Sequence, residues 1–184
     1  GLLASLGVAQ ATLVGHSQGV LVALETASRH PERVAALTLI AGAMAIPVND
    51  ALIEMSQSAP EKAFRMMTSW GHGPGAHKFD NTQPGHAFLG YGRRVMAQND
   101  GAALHADLVA CNSYDGGKDA AASVTQPSLC LLAGKDKMTP VKFGRKMAEQ
   151  ISGAQCHVFE RAGHFLPAEF PIEVNDAMAA FLSR

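Results

Sequence analysis

A serine between two glycines is the first feature of this sequence that could do chemistry. The segment 15–19, with the sequence GHSQG, follows an apolar run at residues 11–14 and precedes a stretch of helical character at residues 20–27. A strand, a G-x-S-x-G turn and a helix in this order are typical of a nucleophile elbow, in which a strained turn lifts the serine Oγ out of the sheet. We expect glycine on both sides of the serine because side chains there would crowd the turn. The pattern predicts that Ser17 is a nucleophile, the alternative being an ordinary small residue in a turn.

Two later loops contain possible partners for this serine, because a serine hydroxyl needs a base and a third group that orients the base. Asp136 follows the apolar run at residues 128–133, and His164 follows the strand-like run at residues 155–159. Ligand and catalytic groups gather at the carboxyl ends of the strands in open α/β sheets. We therefore expect all three side chains at one edge of a sheet.

Other assignments of these partners are open from the residues alone. Asp136 could instead be a turn or helix-cap residue, and His164 could be an ordinary loop histidine. Asp50 is the rival acid, since it follows the end of another strand-like run. Asp115 and Asp119 are weaker candidates because no strand ends beside them.

Strand-like and helix-like segments alternate in the first and last parts of the chain. Residues 34–40 are almost continuously apolar, as expected for a strand buried on both faces, and a strand–helix–strand order implies a right-handed crossover and a parallel sheet. The predicted strands are residues 11–15, 34–40, 128–133 and 155–159, and the main predicted helices end near residues 29, 151 and 182.

The middle of the chain differs from both ends. Residues 44–117 show helix-compatible apolar spacing without an obvious strand, and the glycine- and proline-rich stretch 71–85 predicts a long loop. We therefore predict core elements at 1–43, a helical cap or lid insertion at 44–117, and further core elements at 118–184.

Histidines in the glycine-rich stretch raise the question of a metal site. His72, His77 and His86 lie near Asp80, but their spacing fits no familiar metal site and the surroundings are rich in glycine. We favour a flexible loop, and we predict neither a metal nor an organic cofactor.

The composition favours one packed domain. The chain has 184 residues, of which 47% are hydrophobic and 17% charged, with a net charge of -1. The chain has no basic tract, which argues against nucleic acid as a partner, and no apolar run of membrane-spanning length, which argues against a membrane. Its cysteines, Cys111, Cys130 and Cys156, are odd in number and lack C-x-x-C spacing. We expect buried free thiols at the last two, and a reducing cytoplasm.

These motifs together resemble the serine-nucleophile branch of the α/β-hydrolase superfamily, near its capped esterases and carbon–carbon bond hydrolases. The resemblance is carried by LVGHSQG at residues 13–19, AGKD at 133–136 and AGHF at 162–165, in the order serine, aspartate, histidine. It implies the C-terminal part of an α/β-hydrolase fold, a parallel sheet flanked by helices with an inserted helical cap.

The resemblance also implies roles for individual residues. Ser17 would be the nucleophile, His164 the general base and then acid, and Asp136 the group that orients the histidine. The backbone N–H of Gln18 would contribute to the oxyanion hole. Weaker expectations place substrate contacts at His16, Trp70, Met66 and Phe165.

The family's second oxyanion donor comes from a His-Gly loop that precedes the elbow strand, and no counterpart stands upstream of Ser17. Because the loss of one such donor costs about 10²–10³ in rate, we expect low turnover from this chain alone. The strand at residues 11–15 would also be an exposed sheet edge, through which the chain could self-associate.

The expected reaction is the hydrolysis of a small carboxylic ester or related carbonyl compound through an acyl-enzyme. Carbon–carbon bond hydrolysis and acyl transfer use the same triad, and the sequence does not separate them from ester cleavage. A non-catalytic binding or scaffold protein on the same fold is the alternative of a different class.

Overall fold

Parallel strands form the centre of the protein in the computed structural model, which describes residues 2–78 and 87–183. The strands are β1 (Ala11–His16), β2 (Val34–Ile40), β3 (Ser128–Ala133) and β4 (Gln155–Phe159). They lie side by side in the order β1-β2-β3-β4, and each neighbouring pair is parallel. The predicted fold class, a parallel sheet flanked by helices, is confirmed.

Helices connect the strands and cover both faces of the sheet. A 3-10 turn, Pro31–Arg33, leads into β2. None of the helices in the described ranges has the length and apolar character needed to cross a membrane. The helices are α1 (Leu2–Ser5), α2 (Gln18–Arg29), α3 (Asp50–Ser58), α4 (Pro60–Gly71), α5 (Pro74–Lys78), α6 (Phe88–Met96), α7 (Gly101–Ser113), α8 (Gly117–Ser123), α9 (Val141–Gln150), α10 (Leu166–Glu169) and α11 (Pro171–Leu182).

The two faces of the sheet are buried by different helices. Leu37 and Leu39 of β2 pack with residues of α2, α8 and α9 on one face. Ile40 and the β3 residue Leu131 pack with residues of α10 and α11 on the other face. The central strands are therefore covered on both sides, which explains their nearly continuous apolar sequence.

Helices α3–α7, here called the helical segment, lie between β2 and β3 and have an apolar cluster of their own. Leu52, Ala63, Met67 and Leu108 are its buried residues. The predicted long loop at 71–85 differs from the structure at its start, because α5 begins at Pro74, a residue whose fixed φ suits the first turn of a helix. Residues 79–86 lie outside the described part of the chain.

Strand β4 corrects one expectation about the cysteines. Cys111 and Cys130 are buried, but Cys156 is exposed, and all three are free thiols. Cys156 lies on β4, which pairs with β3 on one side and has no strand on its other side within the described residues. At this edge strand the side chains of both Cys156 and His157 are exposed, so the prediction of a buried Cys156 was wrong.

Strand β1 forms the opposite edge of the sheet in the described part of the chain, where β2 is its sole strand neighbour. Val14 on this strand is 53% exposed although it belongs to an apolar run. The β2 residue Ile40, by contrast, is 3% exposed. The apolar residues of β1 are thus less well covered than those of the inner strands.

Candidate active site

Ser17 lies in a strained turn between β1 and α2. Its φ of 55° and ψ of -120° place an L-residue in a region that usually requires glycine. Its N–H donates to the carbonyl of Ile40 at 3.0 Å, and its carbonyl accepts from the N–H of Val20 at 2.9 Å. Such a conformation costs on the order of 1–3 kcal/mol and is concentrated at functional sites. The serine is therefore held at the carboxyl edge of the sheet by the end of β2 and by the first turn of α2.

The two glycines around Ser17 have different roles. A Cβ on Gly15 would lie 2.3 Å from the carbonyl oxygen of Gly19, which is too close for any side chain. A Cβ on Gly19 would meet nothing within 4 Å. The expectation of a steric need for glycine holds at Gly15 and was wrong at Gly19, because Gly19 already belongs to α2 and its Cβ position faces open space.

A buried hydrogen bond joins His164 to Asp136. The Nδ1–H of His164 donates to Oδ2 of Asp136 at 2.8 Å, and the two side chains are 3% and 0% exposed. With its proton on Nδ1, the imidazole keeps Nε2 as an acceptor. Asp50, the rival acid, is the exposed first residue of α3.

Asp136 also organises the loop in which it lies. Its Oδ1 accepts the N–H groups of Met138 and Thr139, each at 2.8 Å. The Thr139 hydroxyl lies 2.8 Å from Oδ2 of Asp136 and 2.7 Å from the carbonyl of Ala41. Asp136 is thus both a turn residue and the partner of His164, so the two sequence-based alternatives are compatible. The other acid candidates, Asp115 and Asp119, are exposed.

Thr139 is a residue that sequence reasoning missed. Its hydroxyl also lies 3.3 Å from Nδ1 of His164, so it contacts both members of the pair. The available signal was the position of Thr139 three residues after Asp136, because an aspartate side chain commonly binds backbone groups a few residues away.

His16, the residue directly before Ser17, contacts His164. Nε2 of His16 donates to the main-chain carbonyl of His164 at 2.7 Å, and the two rings lie 4.9 Å apart. Burial, and after it the neighbouring His164, lowers the pKa of His16 below its ordinary value of 6.5. No hydrogen bond joins Ser17 to His164 directly among the described residues, and such bonds are often long in free enzymes.

A cavity of about 220 Å³ adjoins Ser17 and Gln18. Gln18 is the first residue of α2, where backbone N–H groups have no partner within the helix. Its side-chain Nε2 donates to the carbonyl of Asp107 at 3.1 Å, which links the elbow to α7. The apolar part of the cavity wall includes Ile46, Val48, Leu52, Met67, Trp70 and Leu108.

The four residues weakly expected to contact substrate are placed differently. Trp70 lines the cavity. Met66 packs in the apolar cluster of the helical segment, and its neighbour Met67 lines the cavity. His16 and Phe165 contact the rings of other histidines and are not among the lining residues.

The histidines considered for a metal make separate backbone contacts. Nδ1 of His72 donates to the carbonyl of Thr68 at 2.8 Å, and Nε2 of His77 donates to the carbonyl of Ser69 at 3.0 Å. The described residues contain no group of three or more side chains suited to a metal ion. Asp80 and His86 lie outside the described ranges.

Glu169 is a second residue that no sequence motif revealed. It is 6% exposed, and its carboxylate accepts the N–H of Gly163, directly before His164, and the N–H of Gly73. Burial raises the pKa of this carboxyl group.

Known proteins resemble the chain over nearly all of its length. A family model described as "Alpha/beta hydrolase family" matches residues 1–177. The 2-hydroxymuconate semialdehyde hydrolase of Pseudomonas sp. (strain CF600) is 26% identical over 203 residues, with 100% of this chain and 65% of the relative covered. The 2-hydroxy-6-oxononadienedioate/2-hydroxy-6-oxononatrienedioate hydrolase of Pseudomonas sp. is 21% identical over 201 residues, with 100% of this chain and 67% of the relative covered.

A solved structure agrees with these matches. The enol-lactonase from Burkholderia xenovorans LB400 superimposes with a TM-score of 0.90 at 21% identity, over 100% of this chain and 70% of the enol-lactonase. The chain therefore spans 67% and 65% of the length of the two curated relatives described above.

Proposed function

This chain belongs to the alpha/beta hydrolase family, and we propose that it is a serine hydrolase for a carboxylic ester or related carbonyl compound. The observation that carries the proposal is the buried 2.8 Å hydrogen bond from His164 to Asp136, at the same sheet edge as the strained turn of Ser17. A fold alone hosts many functions. These side chains, rather than the fold, therefore support the choice of reaction.

The proposed reaction begins with Ser17. Its Oγ attacks the substrate carbonyl while Nε2 of His164 takes the hydroxyl proton, and Asp136 stabilises the imidazolium that forms. The N–H of Gln18 binds the oxyanion. His164 then donates the proton to the leaving group, which leaves an acyl-enzyme on Ser17. Water attacks this ester by the same sequence, which releases the acid and restores the hydroxyl.

The apolar lining of the cavity favours a substrate with an apolar group near the reacting carbonyl. Met67 and Trp70 contribute to its wall, and the unbranched side chain of methionine adapts to groups of different shape. We further propose that turnover by this chain alone is low, since Gln18 would supply one N–H to an oxyanion hole that normally uses two donors.

Labelling by a fluorophosphonate tests the proposal, because this probe reacts with activated serines and does not require turnover. We expect stoichiometric labelling of the 184-residue chain, no labelling of Ser17→Ala, and normal labelling of Ser58→Ala, which changes an exposed serine in α3. A folded protein, judged by circular dichroism, that remains unlabelled would contradict the proposal and favour a non-catalytic binding role.

Carbon–carbon bond hydrolysis is the second candidate, and the names of two relatives suggest a substrate with which to test it. These relatives are hydrolases of 2-hydroxymuconate semialdehyde and of 2-hydroxy-6-oxononadienedioate. Turnover of 2-hydroxymuconate semialdehyde that exceeds turnover of a p-nitrophenyl ester, and that is lost in Ser17→Ala, would support this candidate over the ester. The reverse preference would support the ester.

A further inference from the structure

We propose that Glu169 is a positioning residue for His164, which it holds in place by tying the loop before His164 to the end of helix α4. The inference rests on the proposed function of His164 as the base. The loop in question, here called the histidine loop, comprises residues 160–165.

One carboxylate joins two distant parts of the chain. Oε2 of Glu169 lies 2.9 Å from the N–H nitrogen of Gly73, between α4 and α5. Both carboxylate oxygens lie 3.1 Å from the N–H nitrogen of Gly163 in the histidine loop. Glu169 thus fixes the residue directly before His164 relative to the helical segment.

Glycines allow these two parts of the chain to approach closely. A Cβ on Gly163 would lie 2.1 Å from the nitrogen of Gly73, and a Cβ on Gly73 would lie 2.8 Å from the nitrogen of Gly163. The N–H of Phe165 also donates to the carbonyl of Gly71 at 3.3 Å. The start of the glycine-rich stretch is therefore a packed junction with the histidine loop.

Burying the ionised carboxylate of Glu169 costs folding free energy, which argues for a specific role of this residue. Burial raises the pKa of Glu169, and the N–H groups of Gly163 and Gly73 partly oppose this effect. The nearby Asp136 raises the pKa further, and His164 lowers it. Within residues 2–78 and 87–183, Glu169 forms no ion pair, and a buried carboxylate without a cationic partner rarely stabilises a fold. Its two N–H partners lie at the junction, so its contribution is to the geometry of the histidine loop.

His164 is then fixed at three points. Asp136 holds Nδ1 of the ring, His16 holds the main-chain carbonyl, and Glu169 holds the preceding N–H. We expect removal of the third contact to leave the His164–Asp136 pair intact and to misplace Nε2 relative to Ser17, whose proton it is proposed to take. Glu169 does not line the cavity, so the loss falls on the rate of reaction rather than on substrate binding.

The variant Glu169→Gln tests this inference, because it keeps the shape and replaces an acceptor oxygen with a donor NH₂. We expect the rate constant for fluorophosphonate labelling to fall by about 10–100-fold, since small misplacements of a catalytic group have effects of this size. For any ester that is turned over, kcat falls similarly and KM stays within about two-fold. The control Glu173→Gln, an exposed glutamate in α11, should label like the wild type. Unchanged labelling of a folded Glu169→Gln would overturn the inference.

A measurement on the unaltered protein tests the same junction if the variant does not fold or the wild type is not labelled. In an NMR titration, the amide protons of Gly73 and Gly163 should shift with one common midpoint above the ordinary glutamate value of 4.5, because both bind one carboxylate. The amide of His164 should move in the same step as these two amides. Two separate midpoints, or a His164 amide that does not respond, would contradict the inference even where the proposed function has failed.

Discussion

His16 donates a hydrogen bond from Nε2 to the main-chain carbonyl of His164 at 2.7 Å. The residue directly before Ser17 therefore fixes the backbone of the residue proposed as its base. The bond requires a proton on Nε2, and the lowered pKa of His16 keeps the ring neutral near pH 7. Elbow and histidine loop are thus connected by a neutral side chain that contributes no charge beside the proposed catalytic pair.

The lowered pKa of His16 predicts a pH dependence of stability. The unfolded chain, with the ordinary pKa of 6.5, binds a proton at a higher pH than the folded chain does. Stability from this residue is therefore present above 6.5 and is lost as the pH falls from 6.5 towards the folded pKa, with a slope of at most about 1.4 kcal/mol per pH unit. In urea unfolding, the free energy of unfolding of the wild type should fall relative to that of His16→Gln as the pH is lowered. A difference independent of pH would contradict this prediction.

The hydrogen bond between Asp136 and His164 predicts the effect of removing the carboxylate charge. Asp136→Asn should reduce the rate of fluorophosphonate labelling on the order of 10⁴-fold, because an amide favours the wrong tautomer of the histidine and does not stabilise its cation. Asp50→Asn, at the exposed start of α3, is the matched control and should label within about two-fold of the wild type. Equal effects of the two changes would count against Asp136 as the orienting acid.

The difference between the two elbow glycines predicts opposite results for one substitution. Gly15→Ala should destabilise the protein by about 1–3 kcal/mol, because its methyl group meets the backbone of Gly19. Gly19→Ala should leave stability unchanged or raise it by up to about 1 kcal/mol, because its methyl group enters open space in a helix. Chemical denaturation measures both effects, and similar losses in the two variants would show that the contact at Gly15 does not control the turn.

Two buried threonines form another matched pair. The hydroxyl of Thr38 has no hydrogen-bond partner within the described residues, whereas that of Thr68 donates to the carbonyl of Phe64 at 2.7 Å. Thr38→Val should stabilise the fold by about 1 kcal/mol, because it removes an unpaired polar atom at nearly constant shape. Thr68→Val should destabilise it by a similar amount. Melting temperatures that shift in the same direction for both variants would contradict the view that the Thr38 hydroxyl is unpaired and the Thr68 hydroxyl is paired.

Local patterns predicted the sheet well because its central strands are buried on both faces. The strands β2, β3 and β4 begin and end at the predicted residues, and α2 ends at Arg29 as proline at position 31 indicates. The order of the strands also predicted that Asp136 and His164 lie close together, because the carboxyl ends of parallel strands share an edge of the sheet. The hydrogen bond between the two side chains agrees with this.

Features that depend on contacts between distant segments were not predictable from these patterns. Glu169 binds Gly73 across 96 residues, and no local spacing marks such a contact. Cys156 has an apolar neighbourhood in the sequence, yet its exposure depends on what lies beside β4. The choice between Met66 and Met67 at the cavity likewise depends on how α4 is rotated against its neighbours.

The place of Trp70 has a practical consequence. It lines the cavity next to Ser17, it is 38% exposed, and it is the single tryptophan of the sequence. The intrinsic fluorescence of the folded protein therefore arises mainly from one indole ring at the proposed binding site. Occupation of the cavity by a compound that is never cleaved would change the emission of that ring, so compounds could be screened by their optical signal without a chemical assay.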